Sequence, residues 1–145
     1  MNLVSTTAPG GLTWLVNMRS WISLGAFLGG LGVIMGAFGA HSLKDHLTEQ
    51  KLAAFHTATQ YLVTHSLALI LVGVLVSQME HENPLVRKLN RVGMFFTAGI
   101  ILFSGSLYIL TFGGSKFFGP ITPIGGLTFV IGWFTFAFIY LKKDN

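Results

Sequence analysis

The chain has 145 residues, 52% of them hydrophobic and 10% charged. An ordinary soluble domain carries about 25% charged residues, and a water-soluble fold this short has too little interior to hide so much apolar surface. There is no cysteine, which excludes disulfides, thiolate metal sites and cysteine nucleophiles. The net charge of +4 is not gathered into a basic stripe, so no nucleic-acid partner is expected.

Residues 1–19 read as an N-terminal tail, interfacial or loosely ordered, rich in Thr, Gly and Pro over Ser5–Gly11. No basic residue precedes Arg19, so a cleaved signal peptide is not expected, and Met18 stands as an alternative start. A four-span membrane domain follows over 20–141, with apolar runs at about 21–40, 55–77, 92–112 and 121–141. Each approaches the roughly 20 residues that a helix needs to cross the hydrocarbon layer, and none contains Asp, Glu, Lys or Arg. Period-2 alternation is missing, and helices satisfy their own backbone amides in lipid, so the expected fold is an all-α integral membrane four-helix bundle with short loops. Residues 142–145 form a basic C-terminal tail.

Arg19, then Arg87, Lys88 and Arg91, then Lys142 and Lys143 fall on one side of the membrane, against Lys44, Lys51 and Lys116 on the other. The positive-inside rule therefore gives an N-in/C-in topology. Between spans one and two, Ser42 and Asp45 have capping-box spacing. Thr48 is expected to cap a helix that runs straight into span two, after a short amphipathic segment using Leu43 and Leu47. Pro84 interrupts any helix through the loop 78–90. Thr122 and Pro123 read as N-cap and first helical residue of span four.

Lipid does not drive helices together by the hydrophobic effect, so small residues mark packing faces. Span one carries Gly25, Gly29, Gly32, Gly36 and Gly39 in alternating steps of four and three; span four carries Gly125, Thr128, Gly132 and Thr135. Span three offers Thr97, Ile101, Ser104, Tyr108 and Thr111, and span two offers Thr57, Tyr61, Thr64 or His65, and Ala68. The mean step of 3.5 is that of a left-handed seam, so the four stripes are expected on a common axis. Phe27, Phe95, Phe96, Phe134, Phe136 and Phe138 are expected toward lipid. Trp21, Tyr140 and Trp14 fit the interfacial belt.

His65 is the strongly ionisable side chain at mid-span, and such residues are functional candidates by default. Its bland role is a neutral imidazole bonded to a hydroxyl such as Tyr108 or Ser104, with Tyr61 one turn away. His41 and His56 share one membrane surface with His46 between them, which leaves a metal, haem or quinone site as an alternative to interfacial hydrogen bonding. His81 belongs to a polar loop. Ser104-Gly105-Ser106 has nucleophile-elbow spelling but no base and acid beside it, and reads as packing. No catalytic constellation is present in the sequence, and no cofactor is expected.

The segments Gly36-Ala37-Phe38-Gly39-Ala40-His41, Thr57-Ala58 with Tyr61 and His65, Phe103-Ser104-Gly105-Ser106-Leu107-Tyr108, and Thr122-Pro123-Ile124-Gly125-Gly126 with Gly132-Trp133 follow one another in order. They resemble a family of small bacterial inner-membrane proteins of uncharacterised function, itself similar to a small transmembrane protein of animals. The resemblance covers about 20–141. It implies a four-helix protein of the bacterial plasma (inner) membrane, or of the mitochondrial inner membrane in a eukaryote, and assigns no catalytic residue. The stretch 1–18 departs from that family's short N-terminus. The favoured reading is a non-enzymatic accessory or scaffold subunit of a larger membrane complex, with the bilayer and other subunits or further copies as partners. A small oligomeric transporter or channel using a hydroxyl-lined axis at His65, and the histidine-ligated site, stay open beside it.

Overall fold

The computed structural model describes residues 11–80 and 82–141, with side chains from Ser20 onward. The C-terminal tail, residues 1–10, His81, and the side chains of Trp14 and Arg19 lie outside it. Four long apolar segments are helical: α1 (Gly11–His41), α2 (Glu49–Ser77), a third span made of α3 (Pro84–Gly99), a π-helical turn (Ile100–Gly105) and α4 (Ser106–Thr111), and α5 (Ile121–Leu141). Each is long and apolar enough to cross a membrane. The fold is therefore an all-α membrane four-helix bundle.

Local chemistry sets the helix ends. The Thr48 hydroxyl accepts from the Lys51 amide and starts α2, which then runs unbroken through span two. Asn83 caps α3 through the Leu85 amide, and Pro84, the expected breaker, is the first helical residue of α3. Its missing N–H costs nothing there, because first-turn amides have no intrahelical partner. Ser42 and Asp45 make no capping box; instead His46 Nδ1 meets the Ser42 carbonyl, and Leu43 is buried beneath this turn. Span four starts at Ile121, one residue ahead of the expected cap. Thr122 there turns its hydroxyl to Ser106 Oγ, 2.7 Å away.

The glycine stripe of span one packs on α2. A Cβ at Gly25 would lie 2.6 Å from the Ser66 carbonyl oxygen, one at Gly32 2.5 Å from Val63 Cγ2, and one at Gly39 2.7 Å from Phe55. Gly29 and Gly36 face Ser66 and Thr59 at ordinary contact. Span four packs in the same way on span three, Gly125 against the backbone of Leu102 and Phe103 and Gly132 against Phe96. The four stripes thus meet in two pairs rather than on one axis. Spans two and three form the inner pair, with 44% and 39% of their apolar windows buried, against 17% for each outer span. Leu69, Val72, Val76, Leu89, Val92 and Phe96 fill the seam between them.

Several face assignments change. Phe96 is 0% exposed and central to the core, while Phe27, Phe134 and Phe138 do face outward. Thr57 is exposed and bonds the Ala53 carbonyl; Thr59 and Ser66 occupy the buried face of α2 instead. On span four the buried line is Gly125, Phe129 and Gly132, not Thr128 and Thr135, whose hydroxyls bond their own helix. Ile101, expected on the inner stripe, is exposed, and its neighbour Ile100 is buried. The π turn takes up extra residues per turn and so shifts the helical phase at that point. Trp21 is not a free belt residue: its indole N–H donates to Asn90 Oδ1 at 2.8 Å and its ring covers Gly93, tying span one to span three.

Candidate functional site

His65 sits in the middle of α2 and is 3% exposed. Its neighbours are not the expected hydroxyls. The Trp133 indole N–H, which can only donate, points at His65 Nε2 from 3.1 Å. Nε2 must therefore carry a lone pair, and the proton lies on Nδ1, which donates to the Tyr61 carbonyl at 2.8 Å. Both ring nitrogens are satisfied by one neutral tautomer. The carbonyl it uses already belongs to the α2 ladder, so the bond fixes the ring without unwinding the helix. Phe129 stacks on the imidazole at 3.5 Å between centroids and 14° between planes, and Phe96 meets it edge-on at 5.5 Å. This cluster ties α2 to α5 across span three.

A cavity of about 560 Å³ opens beside the cluster, lined by Gln60, Tyr61, Thr64, His65, Phe103 and Trp133 among others. Tyr61 lies over Phe103, with centroids 4.5 Å apart, and is 39% exposed. The side chains of Gln60, Tyr61 and Thr64 make no hydrogen bond among the described residues. Tyr61 and His65 are thus brought to one site, whereas Tyr108 and Ser104 are not. The Tyr108 hydroxyl pairs with Thr59 Oγ1 at 2.9 Å on the other side of the inner pair. Ser104 lines a second, apolar cavity of about 450 Å³ between span one and span three; it is 1% exposed and its hydroxyl has no partner.

His46 is engaged with Ser42, and His56 lies beside Phe55 and Gly39. Among the described residues, no three His, Asp or Glu side chains approach one another as metal ligands would, so His41, His46 and His56 form no ligand set. Gln60, Thr64 as a cavity residue, and Trp133 were not identified as site residues from sequence. Gln60 had a usable signal as the one amide side chain within the four apolar runs. Trp133 lies well inside span four, away from the belt where indoles usually sit.

The family model described as a protein of unknown function, DUF423, matches residues 35–126 of the chain. A UPF0382 membrane protein of Staphylococcus aureus is 44% identical over 116 residues, which cover 80% of this chain and 90% of that protein. The UPF0382 membrane protein YwdK of Bacillus subtilis is 40% identical over 80% of this chain and 91% of its own length. One from Staphylococcus epidermidis is 39% identical over 86% of this chain and 98% of its own. No solved structure matches.

Proposed function

The chain belongs to this DUF423 family of bacterial membrane proteins, and from that premise we propose that it is a non-enzymatic accessory subunit, a helix-packing scaffold within a larger assembly of the inner membrane. The observation that supports this reading is a second seam of small residues on α1. Ser23, Ala26, Gly30, Val33, Ala37 and Ala40 are all exposed on the side away from α2. Their alternating steps of three and four give the phase of a left-handed helix pair. A Cβ at Gly30 would meet nothing within 4 Å.

Lipid tails place no premium on small side chains, whereas a helix approaching closely does. The comparison with span four makes the point. Both outer spans are equally little buried, yet α5 turns Ile124, Leu127, Val130, Ile131, Phe134 and Phe138 outward. Span one keeps a mostly small-residue strip beside the bulkier Phe27, Ile34 and Phe38, with Val33 its one larger member. The relatives are named as membrane proteins and for no reaction, and the imidazole of His65 is bonded on both nitrogens. A conduction path through the bundle finds no support in this packing, since Leu69, Val72, Leu89 and Phe96 fill the inner seam.

The test is purification of tagged protein from native membranes in mild detergent, beside the Gly30→Leu variant. Wild type is expected to carry a stoichiometric partner chain or a second copy, and the variant to lose it while keeping its helix content and melting temperature. A wild-type protein that runs as a lone monomer at every detergent mildness overturns the reading.

A further inference from the structure

We propose that the cavity between α2 and α5 binds a lipid-dissolved small molecule with a planar, carbonyl-bearing ring on an apolar tail, the chemistry of a prenyl quinone. The inference does not rest on the accessory role, because that seam lies on span one and this cavity lies on spans two, three and four.

Three features select the ligand. The first is depth. Residues 60–65 lie across the middle of α2, which runs from Glu49 to Ser77. The apolar run of that helix is 55–77, so the cavity starts near the bilayer midplane at His65 and extends toward one leaflet at Gln60, still within the hydrocarbon layer. The second is polarity. The Gln60 amide and the Tyr61 and Thr64 hydroxyls are hydrogen-bond donors with no protein partner among the described residues. The lipid around them supplies no water, so a carbonyl-bearing molecule is the chemistry that satisfies them. No charged residue lines the cavity, which favours a neutral ligand.

The third feature is shape. Phe103, Phe129 and Trp133 give the cavity flat aromatic walls, of the kind that hold a ring by its faces. The wall is rigid because His65 is fixed at both nitrogens and stacked on Phe129. Gly126 keeps the α5 side open: a Cβ there would come no closer than 3.7 Å to the Phe103 ring. The inference is of binding alone, with no redox step.

The probe is a short-tailed prenyl benzoquinone titrated into the full chain in nanodiscs of saturated phosphatidylcholine, read by quenching of tryptophan fluorescence. Saturable quenching is expected, mostly lost in Trp133→Phe. The Gln60→Leu/Tyr61→Phe double variant should bind about tenfold more weakly at an unchanged ligand-free melting temperature. If that variant does not fold, Gly126→Leu, which fills the cavity, is expected to show the same loss. Non-saturating quenching of equal slope in wild type and variants overturns the proposal. So does equal competition by a saturated chain of the same length without a ring, which would make the cavity an acyl-chain groove.

Discussion

Gly125→Ala adds one methyl group where α5 meets span three, and its effect follows from the geometry of that crossing. The new Cβ would lie 2.7 Å from the Leu102 carbonyl carbon and 2.8 Å from Phe103 Cα, with the Phe103 amide nitrogen closer still; ordinary contact begins at 3.4 Å. These are backbone atoms and cannot swing aside, so α5 must retreat by about 1 Å in an interior packed as densely as a crystal. Overpacking of this kind costs about 1–3 kcal/mol, and rigid backbone places the cost near the upper end. The retreat also stretches the Trp133–His65 bond, worth about 1 kcal/mol. The total is about 4 kcal/mol. Gly126→Ala, one residue on, puts its methyl at 3.7 Å from a ring and is expected to be neutral or stabilising by up to about 1 kcal/mol. Reversible SDS unfolding in mixed micelles, followed by far-ultraviolet circular dichroism, compares the two. Equal stability of the neighbouring variants would refute the account of this interface.

Nitrogen NMR of His65 in bilayers is expected to show a protonated Nδ1 and a pyridine-like Nε2; the opposite tautomer contradicts the bond from Trp133. Ser104→Ala removes a buried hydroxyl without a partner and is expected to leave stability unchanged or raise it by about 1–3 kcal/mol, whereas Ser66→Ala, which deletes the bond to the Leu62 carbonyl, gains nothing in the same unfolding assay. Trp21→Phe and Asn90→Leu each break the bond between span one and span three. A double-mutant cycle is expected to return a coupling of about 0.5–1.5 kcal/mol, and zero coupling would mean that the bond does not form in the membrane.

The four spans, the glycine face of span one and the Thr48 cap were legible because each rests on a local rule: helix length against bilayer thickness, side-chain size, and side-chain-to-amide bonding. The pairing of faces was less so. Span two packs on two neighbours at once, so its Thr59 and Ser66 side and its His65 side are both buried, and a search for one stripe finds only part of each. The π turn at Ile100–Gly105 shifts the phase of span three without any proline to announce it, which is why Ile101 was placed inward. The partner of His65 is sixty-eight residues away on another helix. Local spacing carries no information about that contact; the hydroxyls of span three were nearer guesses, and an indole was the answer.

The small-residue seam on α1 is the centre of the functional reading, and the chain's lack of cysteine makes it directly testable. Single cysteines at Ala26, Gly30, Val33 and Ala37, with Phe134 and Phe138 on α5 as outward-facing controls, can be labelled with a thiol-reactive benzophenone and photolysed in native membranes, where the probe inserts into C–H bonds of whatever chain lies against it. The reading predicts cross-linked adducts of defined mass at the α1 positions, strongest at Gly30, and none at the α5 controls. Adducts absent from α1, or equally frequent on both helices, would contradict it.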